Sequence, residues 1–263
     1  WIERVALHLT PSVGVYRLAR RVQPVKQGAL IAYVSTGVNY PPQPPSPKQV
    51  AAVVPGQETR GVTLLLARSA VGRSLPPLTN APREAQQLRQ ALRPTLKTVQ
   101  VVKEAQATPQ RTRQEARNAR VVHLICHGRA DNTDPLGSAL LLAPVGKDAG
   151  MLTAGEVLLG WKLRADVVML SACETAVGQV RQYEGMYGLA RAFLFAGARS
   201  VGASLWQVSD ASTARLIGAF YQGYVAGMPK AEALRRAQVG LLRDKQYGDP
   251  YYWSGFVLMG AER

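Results

Sequence analysis

Two short stretches of this 263-residue chain bring together the residue types that acyl-transfer chemistry needs. The first, Val121-Val122-His123-Leu124-Ile125-Cys126-His127-Gly128, is an apolar run that ends in a His-Gly pair. The second, Val167-Val168-Met169-Leu170-Ser171-Ala172-Cys173-Glu174-Thr175, is an apolar run that ends in a small-residue turn holding a cysteine. An imidazole beside a thiol lowers the thiol pKa or takes its proton, and the thiolate then attacks an acyl carbon. His127 is therefore the candidate base and Cys173 the candidate nucleophile. Gly128 and Ala172 leave room for a substrate backbone. The main-chain N–H groups of Gly128 and Cys173 are candidate donors to the oxyanion of a tetrahedral intermediate.

The same residues have plainer readings. A buried cysteine commonly packs as a small hydrophobe, and a strand histidine commonly sits hydrogen-bonded in a core. Alternation along a strand puts Cys126 and His127 on opposite faces, and groups His123 with Ile125 and His127. Core packing is the default for His123. The alternation, together with the lack of a Cys-x-x-Cys pair, argues against a metal held by His123, Cys126, His127 and Cys173.

Positioning such residues requires a scaffold, and the hydrophobic pattern supplies one. Short β-branched runs predict strands at Ala29 to Ser35, Gly61 to Ala67, Thr98 to Val102, Val121 to Cys126, Val167 to Ser171, Arg199 to Leu205 and Gly255 to Met259. Helical spacing predicts helices at Pro82 to Leu92, Pro109 to Ala119, Thr153 to Leu158, Glu184 to Ala196, Asp210 to Tyr224 and Pro229 to Leu242. Ser209 or Asp210 can cap one helix, and Pro229 suits the first turn of another. Alternating strands and helices predict an α/β fold whose mostly parallel sheet is covered on both faces. In such a sheet the carboxyl ends of neighbouring strands converge on a ligand-binding crevice. The stretch from Tyr40 to Pro55 holds six prolines and no usable period, so a loop or insertion is expected over residues 40–60.

Composition bounds the rest. A 47% hydrophobic content supports a packed core, and no apolar run approaches the roughly 20 residues of a membrane span. The formal charge is +15, with 18 basic and 5 acidic residues up to Arg120 and 14 and 12 after it. This basic first half reads either as a solvated face or as the contact surface for an acidic partner, protein or nucleic acid. It lacks the aromatic interleaving of a base-stacking platform. Two cysteines make no disulfide framework. The first residue is Trp1, so the chain is expected to be a piece of a longer protein.

From about Leu75 onward the chain resembles the CHAT domain, a bacterial caspase-like cysteine peptidase module of the caspase, separase and gingipain clan. The matching residues are His123 to Gly128, Ser138-Ala139-Leu140-Leu141-Leu142, Leu152-Thr153-Ala154 and Leu170 to Thr175. The match continues through Glu184-Gly185, Gly188 to Leu194, Ala196 to Val201, Ser204-Leu205-Trp206 and Pro250-Tyr251-Tyr252-Trp253. The resemblance implies a caspase-like three-layer sandwich, one domain filling residues 1–263, with His127 as base and Cys173 as nucleophile. It implies a cysteine endopeptidase acting on a protein partner without metal or organic cofactor. It also implies upstream tetratricopeptide-type repeats or another activating partner, latency until activation, and cytoplasmic residence. Trp206-Gln207-Val208-Ser209-Asp210 resembles the Trp-Asp-Val-Thr-Asp of separases. That likeness makes Asp210 the expected acceptor of a basic side chain before the scissile bond, with Trp206, Gln207 and Glu174 beside it. Gln207 stands where the family pattern has its first Asp. The competing expectation is a caspase-like interaction or scaffold module that binds without cutting, using the basic first half. Glu174 and Glu184 are expected in loop-scaffolding positions, and Asp131, Asn132 and Asp134 at the rim of the cleft.

Overall fold

The computed structural model describes residues 13–33, 39–40, 73–75, 77–131, 134–171, 183–206 and 208–261. The chain divides into two compact units, Thr36–Pro77 and the rest. In the smaller unit, β2 (Asn39–Tyr40) pairs antiparallel with β3 (Arg73–Ser74). The expected insertion beyond Tyr40 and the strand predicted at Gly61 to Ala67 lie outside the described residues.

The larger unit starts with α1 (Val13–Arg21) and β1 (Ala29–Tyr33). After it come α2 (Ala81–Leu92), β4 (Val99–Lys103), α3 (Pro109–Ala116), β5 (Val121–Ile125) and β6 (His127–Arg129). Then follow β7 (Ala139–Leu141), β8 (Met151–Thr153), α4 (Ala154–Gly160), β9 (Val167–Ser171) and α5 (Tyr183–Phe195). The chain closes with β10 (Ser200–Ser204), α6 (Asp210–Val225), α7 (Lys230–Leu242) and β11 (Phe256–Gly260). Six strands form one sheet in the order β11-β10-β9-β5-β1-β4. All neighbours run parallel except β10 and β11.

Burial explains why these segments are strands. Every residue of β5, β9 and β10 is buried, as expected of central parallel strands covered on both faces. On one face Val121, Ile125 and Met169 pack with Leu88 of α2 and with Leu216, Phe220 and Leu234 of α6 and α7. Local chemistry sets the helix starts. Thr108 accepts the Arg111 N–H at 3.2 Å, ahead of Pro109. Thr153 and Glu156 form a reciprocal capping box at α4.

Two features depart from the sequence expectation. Helix α1 precedes the first strand, where the hydrophobic pattern predicted no element. Strand β5 ends at Ile125, and His127 opens β6 in a separate antiparallel sheet ordered β6-β7-β8. The face alternation of β5 therefore does not extend to His127, which pairs with Leu141 of β7.

The amino ends of the strands carry a buried ionic cluster. Asp166, just before β9, accepts hydrogen bonds at 2.8 Å from Lys230 Nζ and from Tyr224 Oη. The guanidiniums of Arg120 and Arg199, just before β5 and β10, each stand 3.6 Å from it. Burial opposes the Asp166 charge, but Lys230, Tyr224 and Arg120 outweigh it and hold its pKa below the usual carboxylate value. Among the described residues no helix is long and apolar enough to cross a membrane.

Candidate active site

The crevice expected of a parallel sheet falls at the carboxyl ends of β5, β9 and β10. Ile125 and Ser171 are register partners on adjacent parallel strands. His127 and Cys173 each follow one of these partners by two positions in the sequence. Cys173 itself, with Ala172 and Glu174, lies outside the described residues, as does Gln207.

His127 is buried, with 5% of its surface exposed. Pairing of His127 with Leu141 and of Gly128 with Leu140 fixes this backbone at the base of the hairpin. The connection from β6 to β7 is laced to itself. Asp131 N–H donates to Ser138 Oγ at 2.9 Å, Asp134 N–H to Asp131 Oδ1 at 2.9 Å, and Leu136 N–H to Asp134 Oδ1 at 3.1 Å. Asp131 and Asp134, expected only at the rim of the cleft, thus accept amides of their own loop. Asn132 lies outside the described residues.

The loop rests on helix α5. A Cβ placed on Gly188 would meet the Pro135 carbonyl oxygen at 2.9 Å, closer than side-chain carbons approach backbone oxygen. Glycine here lets the helix that follows the Cys173 segment touch the loop that follows His127. Glu184 falls in the first turn of that helix.

The other two sulfur and nitrogen groups of the motif are placed elsewhere. Cys126 is fully buried, and desolvation pushes its thiol up to about 12 despite a hydrogen bond with the Leu141 backbone. Such a thiol supplies no thiolate at neutral pH. His123 lies in the middle of β5, away from the strand end, and faces α2 and α6. Its Nε2 lies 2.8 Å from Glu84 Oε1 and its Nδ1 3.3 Å from Tyr221 Oη, all three residues being essentially inaccessible. Among the described residues no group of three His, Cys, Asp or Glu side chains can hold a metal ion.

Asp210 is the first residue of α6, where a carboxylate meets the positive end of the helix dipole. The N-cap is Ser209, whose carbonyl accepts the Thr213 N–H at 2.9 Å while its side chain makes no capping bond. Asp210 Oδ2 instead accepts the Asn80 N–H at 2.8 Å, fastening the start of α2 to the start of α6. Trp206 is anchored rather than loose. Its Nε1 donates to the Tyr251 carbonyl at 3.0 Å, its own carbonyl accepts from Ser204 Oγ at 2.7 Å, and its ring covers Gly255. Sequence reasoning missed Asn80 and Tyr251, because backbone contacts across 130 and 45 positions leave no local pattern.

Comparison with known proteins accords with this architecture. The family model described as "CHAT domain" matches residues 1–261. Mouse tetratricopeptide repeat protein 28 is 35% identical over 112 residues, which are 43% of this chain and 4% of that protein. Among solved structures, the Arg-specific cysteine proteinase gingipain R matches over 92% of this chain and 48% of its own, with TM-score 0.52 and 12% identity. Saccharomyces cerevisiae separase, in its complex with securin, matches over 98% of this chain and 14% of its own, with TM-score 0.55 and 12% identity. At such identities the two structures establish a shared caspase-like fold.

Proposed function

The chain belongs to the CHAT domain family, and on that premise we propose that it is a cysteine endopeptidase working through Cys173 and His127. The observation that carries the reading is the register of β5 and β9, with Ile125 opposite Ser171 and each proposed catalytic residue two positions further on. The family membership and the protease folds of the two structural relatives support it.

In this reading His127 takes the Cys173 thiol proton, and the sulfur attacks the scissile carbonyl carbon. The oxyanion accepts the N–H groups of Gly128 and Cys173. Collapse breaks the C–N bond as the imidazolium protonates the departing amine. Water, deprotonated by the same imidazole, then releases the carboxylate and regenerates the thiol. Cys126 takes no part, since its thiol stays protonated.

The proposed specificity is for a basic residue before the scissile bond, received by Asp210. One of its carboxylate oxygens already takes the Asn80 amide, which would hold the group in a fixed orientation. Gingipain R is described as Arg-specific, which makes arginine the first side chain to try. Repeats of the tetratricopeptide type, present by name in the mouse relative, are the proposed neighbours that would control access. The single domain spanning the chain remains part of this proposal.

The test is a panel of fluorogenic peptides ending in Arg, Lys, Leu and Asp, run with the protein and with Cys173→Ala. Turnover of the Arg peptide by the protein and none by the variant is expected. Turnover that survives in Cys173→Ala would refute the mechanism. Absence of turnover with every peptide, including after addition of a tetratricopeptide-repeat fragment, would favour the binding module instead.

A further inference from the structure

We propose that the groove between α2 and α6 is a docking site for an acidic, extended segment of a protein partner. The groove is an open cavity of about 730 Å³, within the range of sites that take sizeable ligands. Its rim carries Arg83, Gln87 and Gln90 from α2 and Arg215 and Gln222 from α6. Its floor is made of small residues, including Ala214, Gly218 and Ala219.

Charge complementarity selects the occupant. Two guanidiniums line the groove and no carboxylate does. Arg83 pairs with no acidic group among the described residues. Arg215 pairs with Asp244 at 2.8 Å, which offsets part of its charge, and lies over the Tyr247 ring at 5.4 Å, so the uncompensated charge at the groove is that of Arg83. The three glutamine amides donate and accept, which suits the exposed N–H and C=O groups of an extended chain. A helical ligand, by contrast, needs an apolar receiving face. From Asn80 to Ala91 the groove follows α2 for about 16 Å, room for about five extended residues. This inference does not rest on the peptidase reading.

Gly218 provides a test that leaves charge untouched. A Cβ at this helical position has no neighbour within 4 Å, so a side chain introduced here starts into open space on the groove floor. The probe is fluorescein-labelled hexaglutamate, followed by anisotropy in low salt with the intact chain. Gly218→Trp and Arg83→Glu are each expected to weaken binding at least tenfold. Lys147→Glu, on an exposed turn far along the chain, changes the charge as much as Arg83→Glu and is expected to weaken binding less than twofold. Unchanged binding by Gly218→Trp, or equal losses from Lys147→Glu and Arg83→Glu, would overturn the site in favour of diffuse attraction to a basic protein. Tighter capture of an eight-nucleotide oligothymidine that the same two variants abolish would overturn the protein partner.

Discussion

His123 and His127 are separated by three residues, yet they occupy opposite kinds of environment. His123 lies mid-strand, sealed against α2 and α6, with a carboxylate and a phenol as partners drawn from 39 and 98 positions away. His127 lies just past the strand, in a hairpin at the sheet's carboxyl edge, two positions beyond the Ile125–Ser171 register pair. The difference arises from where β5 stops. Had the strand run on, alternation would have set both rings on one face. The sheet change at Cys126 instead places His127, still buried, in the β6-β7 hairpin. The same residue type thus serves packing in one place and, on the proposed mechanism, proton transfer in the other.

This contrast can be broken from either side. On the proposed mechanism, His127→Ala should lower peptide turnover about 10²- to 10⁴-fold, the typical range for a lost general base, while the unfolding midpoint stays close to that of the parent. A loss of folding as large as the loss of activity would erase the distinction. His123→Ala should do the reverse. It strands the Glu84 carboxylate, whose second oxygen already has no hydrogen-bond partner among the described residues, and should cost about 3–5 kcal/mol in urea denaturation. Turnover per folded molecule should hold.

A comparable loss is expected at the other end of the sheet. Asp166→Asn leaves Lys230 buried beside two guanidiniums, which already combine with burial to lower its pKa. Because the folded Asp166 pKa is depressed, its stabilisation is complete above the unfolded value of about 3.9 and fades as pH falls through the folded value. The gap between parent and variant should therefore be widest at neutral pH and close below about pH 4. A gap independent of pH would show that the effect is steric.

A smaller effect is expected at Asp210. Asp210→Ala removes the acceptor of the Asn80 amide and should cost about 1 kcal/mol of stability, within the range for helix-end contacts. It should reduce cleavage after Arg far more than cleavage after Leu. The smallest effect is reserved for Cys126. At pH 8 iodoacetamide should leave it unlabelled in the native protein and modify it in urea, as peptide mass mapping will show, because burial keeps its thiol pKa near 12.

Much of the scaffold was legible because central parallel strands are buried on both sides and read as unbroken apolar runs, as Val167–Ser171 does. The helices were legible from proline and threonine at their starts, as at Thr108-Pro109. The β6-β7-β8 sheet was not, since strands of three residues carry too few alternations to register as a pattern. His123 was readable as a core residue, but its partners were not, because Glu84 and Tyr221 converge only through the packing of α2 and α6 on the sheet. At the candidate site, the spacing of His127 and Cys173 past two strands was legible, whereas the Asn80–Asp210 tie depends on a contact that only tertiary structure creates.

Gly188 gives the site a mechanical property that its catalytic residues do not have by themselves. Pro135 and α5 are separated by the width of one missing methyl group, so the loop downstream of the imidazole and the helix downstream of the thiol segment cannot shift independently toward each other. A spacer one carbon thicker at this point would pry the two apart.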